Sequence, residues 1–112
     1  MKQRKFTSGT ALIVMLSMGR HSSAEASAMR HEIEGVTGVK LGNAGIIAVL
    51  NNLVTWEYAT RKQVERVGSL KRGEHGKVYN YALTAIGKDH IKWMLNNIDQ
   101  LRLSDVSAYG TN

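Results

Sequence analysis

The chain has 112 residues, 15 basic against nine acidic side chains, a formal charge of +6 and no cysteine. That length supports one domain with a core of its own, and the missing thiols exclude a disulfide scaffold, a thiolate zinc site and a cysteine nucleophile. The longest strictly apolar run, residues 11–16, falls far short of the ~20 residues that a membrane-spanning helix requires.

Lys2, Arg4 and Lys5 ahead of that run imitate a signal peptide only loosely, because residues 21–27 read as an ordinary helix start. A cytoplasmic protein is the expectation. A first helix is predicted over 8–18, with Thr7, Ser8 or Thr10 as N-cap and Gly19 as terminator. Its apolar centre suggests a helix buried nearly all round, and β-branched Ile13 and Val14 keep a strand open as the competing reading. Ser22 and Glu25 have capping-box spacing, so a second helix is predicted from there to Gly35, with Gly38 prolonging the turn. Met29 and Ile33 fall on its core face. A third helix is predicted over 43–56, capped by Asn43. Ile46, Val49, Leu50, Leu53 and Trp56 form its apolar stripe, opposite Asn43, Ile47, Asn51 and Thr55.

From Tyr58 the pattern becomes that of a pleated ribbon: one strand over 59–68 and its partner over 77–83, joined through Gly73 and Gly76. Val78 and Asn80 point one way, Tyr79 and Tyr81 the other. A helix through Val64, Val67 and Leu70, capped by Thr60 with Gln63, is the alternative. Thr84 then caps a last helix whose Ile86, Ile91, Met94, Leu95 and Ile98 give an apolar face reaching Leu101. Gly87 near its start suggests close packing on the sheet, and residues 104–112 read as a loose tail.

The charge is clustered. Arg61, Lys62, Arg66, Lys71, Arg72 and Lys77 face only Glu65 and Glu74 within the ribbon, and Lys2, Arg4 and Lys5 stand at the other end. Such a field favours acidic partners without specifying a fold. Catalysis finds no support in the motifs. His31 and Glu32 begin like a zinc-protease helix, but Gly35 replaces the second histidine, and His21, His75 and His90 show no ligand spacing. No metal or cofactor is implied.

Three helices, a basic hairpin and a closing helix form the pattern of an α+β, mostly helical, winged helix-turn-helix. Leu50-x-x-Leu53-x-x-Trp56-x-Tyr58, Arg66-Val67-Gly68 and Tyr79-x-Tyr81-x-Leu83-Thr84-x-x-Gly87 carry the likeness. The chain resembles bacterial and phage winged-helix regulators of the PadR and MarR type. The resemblance implies a non-enzymatic, sequence-specific binder of double-stranded DNA. Its winged-helix domain would occupy residues 1–98, including the basic N-terminal arm, with the helix end and tail over 99–112.

Under that resemblance Asn43, Asn51 and Thr55 read bases from the major groove, where asparagine can pair with adenine, and Lys40 reaches a phosphate. Lys71, Arg72, His75 and Lys77 hold backbone or a minor groove from the wing tip, and Arg61, Lys62 and Arg66 line the strands. Trp56, Tyr79 and Tyr81 are expected to pack rather than stack on bases. Ile91, Met94, Leu95, Ile98 and Leu101 are the candidate face of a homodimer. A host protein bound without DNA is the rival partner, because the third helix lacks arginine. Two departures stand out: Glu57 occupies a place where such regulators often carry glycine, and the turn over 35–42 is long. The third helix is therefore expected to run on, or to stop without a left-handed cap.

Overall fold

The computed structural model describes residues 6–65 and 77–101. In chain order they form α1 (Gly9–Gly19), β1 (Ala24–Glu25), α2 (Ala26–Thr37), α3 (Asn43–Thr55), β2 (Ala59–Glu65), β3 (Lys77–Leu83) and α4 (Ala85–Leu101). The basic arm, the connection over 66–76 and the tail over 102–112 lie outside the described residues.

Ser8 starts α1, its hydroxyl accepting the Ala11 N–H at 3.1 Å. Gly19 is the last helical residue, and Arg20 closes the helix in right-handed geometry, so no glycine cap is used. Nor is α1 buried all round. Val14, Met15 and Met18 fill the core, whereas Ile13 and Leu16 are exposed. Burial also takes in polar Ser17, which is tolerable only because the hydroxyl has a partner. Ser17 Oγ donates to Glu32 Oε1 on α2 at 2.6 Å. His21 Nε2 lies 3.2 Å and Arg20 Nε 3.6 Å from the other carboxylate oxygen. The Ser17 hydrogen bond, with smaller help from His21 and Arg20, holds the Glu32 carboxyl below its ordinary value against a modest desolvation effect.

The predicted capping box at Ser22 and Glu25 does not form. Residues 24 and 25 instead pair with β3, Ala24 opposite Tyr81 and Glu25 opposite Asn80, which gives a three-stranded antiparallel sheet in the order β1-β3-β2. Pairing satisfies backbone groups on the free edge of β3 and buries Ala24, and α2 then begins at Ala26 with no side-chain cap. Gly35 does not end α2. The helix continues to Thr37, whose hydroxyl donates to the Ile33 carbonyl, and Gly38 closes it at φ 75°. Likewise Gly42, not Asn43, is the N-cap of α3, and Asn43 is the first helical residue. The core lies where Met15 and Met18 meet Met29, Ile33, Ile46, Leu50 and Leu53, roofed by Ala59 and Tyr81 of the sheet.

α3 ends in a complete Schellman motif. The Tyr58 N–H donates to the Leu53 carbonyl at 2.9 Å and the Glu57 N–H to that of Val54 at 3.0 Å. Glu57 itself sits at φ 67°, so the expectation of no left-handed cap fails: the conformation is kept although the residue is not glycine. Thr84 holds the turn from outside. Its hydroxyl donates to the Glu57 carbonyl at 2.6 Å while accepting the Gly87 N–H at 2.9 Å, and its own N–H donates to the Tyr58 carbonyl at 3.1 Å. One residue therefore caps α4 and fastens the exit of α3. Gly87 packs so closely here that a methyl group would overlap the Tyr58 carbonyl oxygen. Beside it, His90 stacks on Tyr58 at 4.3 Å between ring centroids, Trp93 follows at 5.7 Å, and Phe6 covers Trp93 at 4.9 Å.

The ribbon is a strand pair and not a helix: register runs from Ala59 opposite Leu83 to Glu65 opposite Lys77. Gly87→Ala should lower unfolding free energy by about 2–3 kcal/mol, because backbone blocks the new methyl, measured by urea denaturation. Glu57→Gly should raise it by up to about 1 kcal/mol by relieving the left-handed backbone; a loss would argue against that cap. A lowered carboxyl value means Glu32 stabilises above the ordinary carboxylate range, and the contribution disappears as pH falls through that range and the lowered value. Thermal melting of Glu32→Gln against the parent should thus show a deficit at neutral pH that vanishes in acid.

Candidate nucleic-acid interface

The outer side of α3 consists of short side chains. Asn43, Ala44, Gly45, Ile47, Ala48, Asn51, Asn52 and Thr55 are exposed, while Ile46, Leu50 and Leu53 face the core. Short residues let a helix backbone approach a surface closely, and the exposed amides and hydroxyl supply hydrogen-bonding groups. Thr55 has committed its proton, Oγ1 donating to the Asn51 backbone carbonyl at 3.0 Å. Gly42 holds the N-cap position, so Asn43 is not the residue that caps the helix. Lys40 is exposed in the turn before α3.

Strand alternation divides the ribbon's cations. Ala59, Arg61 and Gln63 share a face with Leu83, Tyr81 and Tyr79, and this face runs outward from the core. Tyr81 is buried in it. Tyr79, farther out, lies under the Arg61 guanidinium, 4.7 Å from ring centroid to Cζ. Arg61 Nη1 then donates to Asn51 Oδ1 at 3.1 Å, joining β2 to the exposed side of α3. Lys62 is exposed on the opposite face, across from Asn80. Lys77 opens β3, and Arg66, Lys71, Arg72 and His75 lie outside the described residues. Thus α3 and the first cation of β2 meet directly, and Lys62 does not join them.

Trp56 was expected in the apolar stripe of α3, but it caps that helix and is exposed, edge-on to Tyr58 at 6.4 Å. Ile86 is also exposed and, with Val54, Glu57, Thr60 and Arg61, lines a shallow open depression beside the Thr84 junction. On α4, Met94 is buried and Ile91 packs against the core, whereas Leu95, Ile98 and Leu101 are exposed. Periodicity did not single out the Arg61–Asn51 pair, because ten residues and a change of element separate the partners. The exposed Ile47 beside Asn51 was visible in the sequence, but only as part of a polar-side tally.

Among the described residues, no helix is long and apolar enough to cross a membrane. No group of three or more His, Cys, Asp or Glu side chains there could hold a metal ion. Glu32, the carboxylate of the protease-like sequence, is bound to Ser17 and His21.

No protein-family model matches the sequence, and no curated protein matches it. Solved structures do. A PadR-like transcription factor from Bacteroides fragilis superposes with a TM-score of 0.70 at 16% identity, covering 82% of each chain. RosR from H. salinarum gives 0.67 at 16% identity over 96% of this chain and 87% of that one. A PadR family transcription regulator from Clostridium difficile gives 0.66 at 14% identity over 83% and 91%. At these identities the likeness carries the fold: the chain is a winged helix of the architecture found in PadR-type regulators.

Proposed function

We propose that the chain is a non-enzymatic, cytoplasmic transcriptional regulator that binds double-stranded DNA, with α3 in the major groove and the β2–β3 ribbon along flanking backbone or a minor groove. The observation that carries this reading is the Arg61–Asn51 contact, which joins a cationic ribbon to a helix whose outer side is small enough to enter a groove. Asn43, Asn51 and Thr55 address base edges, and Lys40 and Lys62 hold phosphates. Arg66, Lys71, Arg72, His75 and Lys77 extend the cationic track by charge. The shared fold with a PadR-like transcription factor supports the same reading. A homodimer joined by Leu95, Ile98 and Leu101 of α4, with exposed Ile13 and Leu16 of α1 as further apolar surface, would set two half-sites about one helical turn apart. A protein partner on exposed Trp56 and Ile86 is the second reading, favoured by the depression that Ile86 lines.

Salt separates the two readings. A protomer that neutralises about four phosphates would bind duplex roughly a hundredfold more weakly at about 200 than at about 50 mM salt, and a dimer that neutralises twice as many roughly ten-thousandfold more weakly. Paired Arg72→Glu and Lys77→Glu changes should reduce that slope. Absence of any salt-sensitive duplex binding at low ionic strength would leave the protein-partner reading. For the dimer, Ile98→Asp should convert a twofold species to monomer in sedimentation.

A further inference from the structure

Arg61 belongs to the ribbon but stands with the helix. Its Nη1 donates to Asn51 Oδ1 at 3.1 Å, on the exposed side of α3. The Tyr79 ring lies against the same guanidinium, its centroid 4.7 Å from Cζ. A guanidinium carries five N–H donors in a planar fork, and contact with a ring face consumes none of them. The bond to Asn51 therefore leaves the edge formed by Nε–H and the neighbouring Nη2–H, and no described residue accepts from either. Asn51 and Tyr79 stand on different elements, so the guanidinium is held from two directions before any ligand arrives. Such ordering lowers the entropy that a new contact by a long side chain would cost.

Depth in the groove decides what that edge meets. A guanidinium 3.1 Å from the Asn51 amide reaches as far as the amide does, so where Asn51 addresses a base edge, Arg61 arrives beside it. Neighbouring bases on a strand are about 3.4 Å apart, close to that separation, so the two side chains fit adjacent base pairs. Ala44 and Ala48, exposed on the same side of α3, are too short to hold either group away from the groove floor. Lys62, on the opposite face of β2, lacks this placement. In the major groove two parallel donors match two acceptors on one base, guanine O6 and N7. Adenine offers N7 beside an amino donor, thymine one O4 beside its methyl, and cytosine an amino donor, so each leaves part of the fork unmet. We infer that Arg61 reads guanine through its Nε–Nη2 edge, with Asn51 and Tyr79 as the positioning residues that hold it there. The ribbon thus supplies the arginine that α3 lacks. This deepens the DNA-binding reading above and rests on it.

Selection from random duplex DNA with the parent chain and Arg61→Met tests the inference. The parent should favour guanine at one position by about tenfold over other bases, and Arg61→Met should lose the preference at that position. Replacing that guanine by 7-deazaguanine removes the N7 acceptor and keeps Watson–Crick pairing. The exchange should weaken the parent roughly fivefold or more and leave Arg61→Met unaffected. Tyr79→Leu loosens the guanidinium without removing its charge, so the guanine preference should shrink while the salt slope stays the same. A phosphate contact gives a different pattern: Arg61→Met would weaken every duplex alike and reduce the salt slope by about 0.9. That uniform loss, a parent indifferent to 7-deazaguanine, or a full guanine preference in Tyr79→Leu would overturn the inference while leaving DNA binding intact. Failure of the parent to enrich any duplex would remove the DNA-binding reading and this inference together.

Discussion

The structure turns on the hydrogen bond from the Thr84 hydroxyl to the Glu57 carbonyl. It fastens the left-handed turn that ends α3 to the residue that starts α4. Every larger relation near the interface passes through that point. α3 must stop there for β2 to leave at an angle. Gly87 must lack a side chain for α4 to approach the Tyr58 carbonyl. The stacked Tyr58 and His90 rings then carry the contact into α4. A left-handed residue other than glycine is disfavoured on its own, and it persists at Glu57 because the Schellman bonds and Thr84 hold the backbone on both sides.

This arrangement gives the candidate interface its shape. A fixed exit from α3 sets where Arg61 emerges, and only from that position can its guanidinium span Tyr79 and Asn51. Electrostatics alone would have spread the cations along both ribbon faces, and alternation does so for Lys62. The junction selects Arg61 as the cation that belongs to the helix. Elsewhere the Ser17–Glu32 bond performs a comparable task between α1 and α2, where a buried hydroxyl would otherwise go unpaired.

Much of the architecture was legible from local pattern. The stripe of Ile46, Leu50 and Leu53, the Thr84 cap, Gly87 and the alternation about Tyr81 each depend on neighbours within a few residues, and each stands as expected. Expectations failed where a distant partner outweighed a local preference. Ser22 and Glu25 have the spacing of a capping box, yet the free edge of β3 draws Ala24 and Glu25 into a strand. Gly35 can end a helix, but Thr37 and Gly38 close α2 a turn later. Glu57 looked unable to form a left-handed cap because Thr84, 27 residues away, is invisible to any local rule. The α1 surface was misjudged for a related reason: composition showed an apolar helix but not which residues the neighbouring elements would cover. In the interface, residue types suggested amides and cations, whereas the contact of Arg61 with Asn51 joins residues on two different elements.

The rigidity of the α3–ribbon relation is the claim most open to direct measurement. The chain contains no cysteine, so spin labels at Ala48→Cys on α3 and Lys62→Cys on β2 would report one distance without background. Pulsed dipolar spectroscopy should give a single narrow distribution in the otherwise unaltered chain and a broader one after Thr84→Val, which removes the hydroxyl while keeping the side-chain shape. A broad distribution before that substitution, or an unchanged one after it, would contradict the account.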